Sequence, residues 1–503
     1  KEVQKTGEGY AGVSSAITIE PEIAFDSRGK ETVAVSLEID GIKARGDVPA
    51  GASKGEDEAR TVGAKAAIKN IKDVIVPLIL EEISKGRNLK NHADLLAIEK
   101  KIIANAGDNY AKLGADAVVP VSRALWVLAG KLHNMELAEY IREFEPEAVF
   151  DNPNIVFPYM NIYNGGLHAI KGEEKLGKDR IDFQEIMIVP AGARSQKEAL
   201  AMGDKIDFNL KQILLEKFVS DKITRADEAG FSVKGLGSSD EAIEYVFKAI
   251  ERAGYRPGLD VKLALDTAAT SFYNKDVNKY EFQGQMRSSD EMIDYYVNLA
   301  RKYPGKIVSI EDGLAENDWK GWTRLTQEME EFGIVTIGDD LFVTQLERLE
   351  KGIIEKAAKA ILIKVNQNGS MSGTLDVIKR AKEAGFVCVV SHRSGETLDT
   401  SIADLAYGVN AFGLKTGDPQ PEYDFGKGGD YAGKALVRRA KYERMVQLEE
   451  KTTSNAMPEA TETMKGINQI SRYLFQPRDL VERLGLDLKP AKEIPQEEDA
   501  LSA

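Results

Sequence analysis

The chain has 503 residues, 43% of them hydrophobic, and a net charge of −14 spread along its length. That length allows two or three domains, and that hydrophobic share supports a substantial core and excludes a disordered or fibrous protein. The acidic balance argues against nucleic acid or an anionic membrane as the main partner, though not against a small anion, since a local cluster of cations overrides the global sign.

Residues 1–16 read as a flexible lead-in; the opening KEVQKTGEGYAG is polar and lacks the apolar region of a signal peptide. From Ile17 to Val48 the pattern is antiparallel strand: ETVAVSLEI, an Asp40-Gly41 turn, then IKARGDV. Asp-Gly between such runs is a strong hairpin signal. Asp26-Ser27-Arg28-Gly29 precedes it as a tight turn, and VPAGASKGEDEA (48–59) follows as a loop of small residues running into an acidic helix start. Helices are expected over 56–83, 91–106 and 114–143, the first with Val62, Ala66, Ile68, Ile71 and Val74 on one face. Residues 17–146 thus read as an α+β domain of independent size, and FEPEAVFDNPN (144–154) as a linker.

The second domain is expected over 155–451. Its first strand-like runs, IVFPYMNI and FQEIMIV, are separated by a Gly-rich loop long enough to suggest function. A helix (195–221) and a second Gly-rich loop bearing Asp227-Glu228 come next. From Val261 six apolar runs close in turn on Asp266, Glu311, Asp339, Lys364, Ser391-His392-Arg393-Ser394 and Lys415. The ends are 45, 28, 25, 27 and 24 residues apart. After the first, each step is one strand, one helix and two turns, and continuous aliphatic runs mark buried parallel strands. The single cysteine, Cys388, lies in one of these runs, which excludes a disulfide framework and fits a reducing compartment. No apolar run approaches the ~18 residues of a membrane span. Residues 418–435 read as an insertion, 436–451 as a closing helix, and 452–503 as a partly disordered tail with a helical stretch near 461–484.

Polar residues at the carboxyl ends of successive parallel strands converge on one face, where a barrel keeps its active site. Asp266, Glu311 and Asp339 are hard oxygen donors without thiolate or imidazole company, a set suited to Mg²⁺ or Mn²⁺; singly, each would read as a helix cap. Lys364, beside a divalent metal and an Arg in a desolvated mouth, is expected to have a depressed pKa and to act as a general base, the bland alternative being a lysine that snorkels from a strand end. Arg393-Ser394 offers a guanidinium fork and a hydroxyl for phosphate, and Lys415 adds a second cation. His168 follows two glycines in the first loop, as a structural histidine or a functional one. Glu185 and Glu228 feed the same face, where paired carboxylates can keep one proton between them. The residues alone suggest metal-assisted proton abstraction beside a carboxylate, with an acid available for a leaving group.

DSRG (26–29), VPAGASKG (48–55), MNIYNGGLHA (160–169), FQEIMIVPAGA (183–193) and DEAGF (227–231) are joined by ALDTAATSFY (264–273), SIEDGLAENDW (309–319) and GDDLFVT (338–344). LIKVNQNGS (362–370), SHRSGET (391–397) and LKTG (414–417) complete a set that resembles the enolase family, the phosphopyruvate hydratases of glycolysis and gluconeogenesis, over roughly residues 20–450. The resemblance implies an α/β protein: an N-terminal α+β domain followed by a TIM-like (βα)8 barrel with a ββαα start, which the 45-residue first step also fits. It implies a cytoplasmic, homo-oligomeric hydro-lyase that takes two Mg²⁺ per site and interconverts 2-phosphoglycerate and phosphoenolpyruvate. A lysine base beside Mg²⁺ is the enolase superfamily's own pattern. By that resemblance Asp266, Glu311 and Asp339 hold the first ion and Ser53 the second. Lys364 removes the C2 proton, and Glu228 assisted by Glu185 protonates the departing hydroxyl. Arg393 and Ser394 grip phosphate, Lys415 faces the substrate carboxylate, Gln184 adjoins it, and His168 lies on a closing loop.

The chain also departs from the family. Its AGASK stands for the usual SGAST and its DEAGFSV for DEGGFAP; Ser271, Gly313 and Leu398 replace a Glu, a Pro and a Glu. Ala34 and Gln447 stand where the family has a Glu–Arg pair across its dimer, so the expected oligomer lacks that ion pair. These departures keep open a paralogue acting on another acid anion, or a non-catalytic binding protein on the same scaffold.

Overall fold

The structure, a computed structural model, describes residues 17–51, 55–150, 156–170, 174–419 and 430–455. The expected lead-in, Ser53, most of the expected insertion and the tail beyond Asn455 lie outside the described residues. β1 (Ile17–Phe25), β2 (Glu31–Ile39) and β3 (Ile42–Asp47) form an antiparallel meander with β2 in the middle. Asp40 and Gly41 both have positive φ (50° and 79°), the backbone that a tight right-twisted hairpin requires. Against this sheet pack α1 (Ala64–Asn70) and α4 (Ala115–Leu132), while α3 (His92–Asn105) and α5 (Leu137–Phe144) pack on α4, and α2 (Val76–Ser84) on α3. α4 crosses β3 so closely that a Cβ on Gly46 would lie 2.3 Å from the Pro120 carbonyl oxygen. Ala34, in the middle of β2, is fully buried within the chain, whereas Gln447 is exposed.

Two helical expectations need correcting. The helix expected from 56 begins at Ala64, because Asp116 instead accepts the Val62 and Gly63 N–H groups and holds them in a turn; its middle, Ile71–Ile75, is a π turn. The helix expected over 114–143 is two: Gly130 takes the Met135 N–H at 2.9 Å, Asn134 turns left-handed (φ 58°), and a capping box on Glu136 starts α5.

The second domain is a closed barrel. It opens with β4 (Phe157–Asn164), the short α6 (Gly166–Ala169), β5 (Glu185–Val189) and α7 (Gln196–Lys217). A hairpin, β6 (Ile223–Arg225) and β7 (Phe231–Val233), leads to α8 (Ser239–Arg252) and β8 (Lys262–Asp266). A three-stranded meander, β9 (Tyr273–Asn274), β10 (Lys279–Phe282) and β11 (Gln285–Arg287), precedes α9 (Ser289–Lys302). That meander, rather than the ββαα start, accounts for the long first step. Regular units then run β12 (Ile307–Glu311), α10 (Trp319–Glu330), β13 (Val335–Gly338), α11 (Leu346–Glu355) and β14 (Ala360–Ile363). The short α12 (Val365–Asn368), α13 (Met371–Glu383), β15 (Val387–Ser391), α14 (Ser401–Gly408), β16 (Gly413–Lys415) and α15 (Asp430–Asn455) complete it. α15 starts six residues before the expected closing helix.

β16 pairs with β4 and closes eight strands. Seven are parallel; β5 alone runs antiparallel, to both β4 and β8. Phe157, Met187, Val308, Leu362 and Val389 fill the interior, so the barrel is a packed core open to function only at its ends. Because β5 is inverted, its first residue, Glu185, sits opposite the last residue of β8, Asp266. The DSRG turn docks on the loop after β15: Ser27 N–H donates to the Glu396 carbonyl at 2.7 Å, and Ala50 bridges Gly395. A Cβ on Gly395 would lie 2.1 Å from an Arg28 nitrogen. No helix among the described residues is long and apolar enough to cross a membrane.

Candidate active site

The carboxyl ends of the parallel strands, and the amino end of β5, bring most of the expected residues into one pocket. It is lined by His168, Gln184, Glu185, Glu228, Asp266, Asp339, Lys364, Arg393, Ser394 and Lys415. Glu311 reaches it through Lys415. The backbone here is bent away from ordinary strand geometry: Ala268, Asp312, Val343 and Thr344 follow strand ends with φ between 41° and 50°. Left-handed backbone at β-branched residues is costly, and such positions cluster where geometry matters more than local stability.

Lys415 organises one side. Its Nζ lies 2.7 Å from Glu311 Oε1, 2.8 Å from Asp266 Oδ2 and 3.3 Å from Glu185 Oε2. Burial disfavours its charge, but Asp266, Glu185 and Glu311 outweigh burial and hold the ammonium well above its ordinary range. Gln184 adds an amide 3.5 Å from the same Asp266 oxygen. Lys364 touches Asp339 on the other side. Burial pushes Lys364 down as expected from the sequence, yet the Asp339 carboxylate prevails and the group stands above its ordinary value. The depression expected beside a divalent cation concerns a different set of neighbours; against Asp339 the lysine is held charged.

The acid pair splits. Glu185 is raised well above the carboxylate range by burial and by the neighbouring Glu228 charge. Burial acts on Glu228 too, but His392 and His168 overcome it, and Glu228 is held well below that range. Nδ1 of His168 lies 3.8 Å from an oxygen of each glutamate. His392 Nε2 is 3.2 Å from Glu228 Oε2, and Asn161 donates to that oxygen at 3.0 Å. Burial lowers both histidines, His392 to about 4. Two like carboxylates with different partners are thus pushed apart, Glu185 toward the protonated and Glu228 toward the ionised form.

Arg393 presents its guanidinium to the pocket from behind, gripped by Glu58 at 3.0 and 3.1 Å. The Ser394 hydroxyl accepts from Arg28 at 3.5 Å. Among the departures, Ala229 stands at φ 68°, a conformation that glycine adopts without strain.

Oxygen donors that could hold a divalent cation gather at the mouth. Asp266, Glu311 and Asp339 lie on three neighbouring strands and are paired with the ammonium groups of Lys415 and Lys364. His168, Glu185 and Glu228 each offer one ligand atom within 4.8 Å of the others. Asp339 also belongs, with Asp312 and Asp340, to a group whose carboxylate oxygens lie within 4.8 Å of one another. Asp312 accepts the Asp339 and Asp340 N–H groups at 2.9 and 2.8 Å, fixing the turn after β13.

Four residues that the sequence left without a role lie at or just behind the mouth. His392 stood inside a run of polar residues at a strand end, and Asn161 interrupted an apolar strand; both were readable signals. Glu58 was hidden as a helix-start acid, and Gln367, fully buried, has no signal of its own.

Compared with known families, residues 17–141 match the enolase N-terminal domain and residues 153–466 match the enolase C-terminal TIM barrel domain. The two matches follow the order of the meander-and-helix domain and the barrel described above. A family of lyase-type enzymes with small-molecule substrates accounts for both halves together: the chain belongs to the enolase family.

Proposed function

We propose that the chain catalyses the reversible, Mg²⁺-dependent dehydration of 2-phosphoglycerate to phosphoenolpyruvate. The observation that carries this reading is a single pocket lined by a lysine, a glutamate pair of opposed proton affinity, and an Arg-Ser fork. Asp266, Glu311 and Asp339 would hold one ion, and Ser53 is assigned to a second by family pattern. Bound there, the metal would neutralise the carboxylates and stabilise negative charge growing on the substrate carboxylate.

Lys364 in its neutral form takes the C2 proton. With the Asp339 charge neutralised, burial and the nearby Arg393 and Lys415 all favour that neutral form. Arg393 and Ser394 hold the phosphate, and Lys415, with Gln184 beside it, faces the carboxylate that receives the electron pair. The C2–C3 double bond forms as the C3–O bond breaks, and the departing hydroxyl takes a proton from the Glu228 side and leaves as water. Glu228 is held toward the ionised form and Glu185 toward the protonated one, so Glu185, with His168 3.8 Å from an oxygen of each glutamate, supplies the proton that Glu228 passes on.

The test is phosphoenolpyruvate absorbance after addition of 2-phosphoglycerate, with Mg²⁺ and with chelator, for wild type and Lys364→Ala. Mg²⁺-dependent turnover that the variant lacks is the expected result. A folded, Mg²⁺-loaded wild type without turnover would sink the reading and turn attention to other acid anions, which the altered Ala229, Ser271, Gly313 and Leu398 positions make the next substrates to try.

A further inference from the structure

Glu58 belongs to the N-terminal domain, yet its carboxylate is buried at the barrel mouth. Oε2 accepts from Arg393 Nη1 at 3.0 Å and Oε1 from Nη2 at 3.1 Å. Arg393 Nη1 also donates to Asn366 Oδ1 at 3.3 Å, and Asn366 is tied in turn to the Pro49 carbonyl. Arg393 lines the pocket and Glu58 does not, so the glutamate grips the guanidinium from the protein side and orients its plane.

The same carboxylate reaches the other half of the site. Gln367 Nε2 lies 3.4 Å from Glu58 Oε1 and donates to Asp339 Oδ1 at 3.0 Å. The amide cannot flip without loss, because its Oε1 accepts from the Thr344 hydroxyl at 3.0 Å, and that hydroxyl accepts the Lys364 N–H at 2.9 Å. The Gln367 carbonyl accepts the Ala59 N–H at 3.0 Å, next to Glu58 in the chain. An ordinary interdomain ion pair would need only the first of these links. Here one acid is joined on one side to the arginine that faces the pocket and on the other, through one amide, to the Asp339–Lys364 pair.

We infer that Glu58, with Gln367, is a positioning residue for the site: it fixes the Arg393 guanidinium against the phosphate and holds it in register with Asp339 and Lys364. The inference rests on the reading given under Proposed function for what Arg393 grips.

The test is a cycle of Glu58→Gln, Arg393→Lys and the double variant, with Glu58→Asp beside them. Kinetics with 2-phosphoglycerate and affinity for inorganic phosphate are measured on the Mg²⁺-loaded full chain. Glu58→Gln removes one partner of a buried charged pair, so KM and the phosphate dissociation constant should rise about 10- to 100-fold, with a smaller fall in kcat. Glu58→Asp should recover part of this, and it keeps the test readable if the glutamine variant folds poorly. In the Arg393→Lys background the added Glu58→Gln change should cost less than about twofold, because its route of action is gone. An equal cost in both backgrounds, or a change in melting temperature with phosphate affinity unmoved, overturns the inference. A wild type that binds phosphate with this coupling but does not turn over 2-phosphoglycerate removes the substrate assignment and leaves Glu58 its role.

Discussion

Replacing Lys415 by Met tests whether the acidic set is held together by the protein's own cations. The side chain is buried, and its ammonium lies 2.7 Å from Glu311, 2.8 Å from Asp266 and 3.3 Å from Glu185. Methionine keeps the stem and most of the volume but leaves three acids facing one another. Breaking a buried ion pair costs about 3–5 kcal/mol, because the abandoned charge stays desolvated. Some of that cost is avoided if the acids take up protons, and Glu185 and Glu311 are already pushed toward the protonated form. A net loss of about 2–4 kcal/mol in chelator follows. A divalent ion bound only by the folded state contributes about 2.7 kcal/mol at a hundredfold excess over its dissociation constant. Urea denaturation of wild type and Lys415→Met, each in chelator and in Mg²⁺, reads both quantities. The variant should be destabilised in chelator and should gain more from Mg²⁺ than wild type, which must displace its own ammonium first. Equal Mg²⁺ shifts in the two proteins would refute the idea that Lys415 stands in for the ion.

Ala229→Gly should raise stability by about 1 kcal/mol, since an alanine at φ 68° carries left-handed strain that glycine lacks; denaturation midpoints check it. Gly230→Ala should lower turnover at least tenfold with the fold retained, because the new Cβ would meet Asn164 Oδ1 at 2.6 Å and the Asn161 carbonyl at 2.8 Å, beside the amide that donates to Glu228. Asp182, raised by burial to about 7, is protonated more readily in the folded than in the unfolded chain, so its contribution to stability is full below about 4 and is lost as pH rises through about 7. Asp182→Asn should accordingly gain on wild type in melting temperature between pH 5 and pH 8, and a constant difference across that range would count against the assignment.

The barrel was legible because its parallel strands, buried on both faces, must be written as unbroken aliphatic runs, and each run ended on a residue too polar for the core. Asp266, Glu311 and Lys415 are found where those ends predict, and Glu185 joins them only because β5 is inverted. The π turn at Ile71–Ile75 and the break at Asn134 were not legible, since the apolar period continues through both. Nor was the direct contact of Lys364 with Asp339, 25 positions away, which holds its charge against burial. Glu58 is the clearest case of a residue whose local text misleads, since an acid after a glycine-rich loop reads as a helix start until the arginine 335 positions on is brought beside it.

The docking of the DSRG turn on the loop after β15 bears on how the two halves can be recombined. Gly395 has no room for a Cβ against Arg28; Ala50 pairs with its backbone and Ser27 with that of Glu396 beside it. A chimera that joins this barrel to a relative's N-terminal half must therefore match that seam as well as supply an acid at position 58. Shuffling with a crossover in the linker, the obvious place to cut, separates residues that work as one unit; crossovers that keep 26–29, 50 and 58 with 393–396 preserve it.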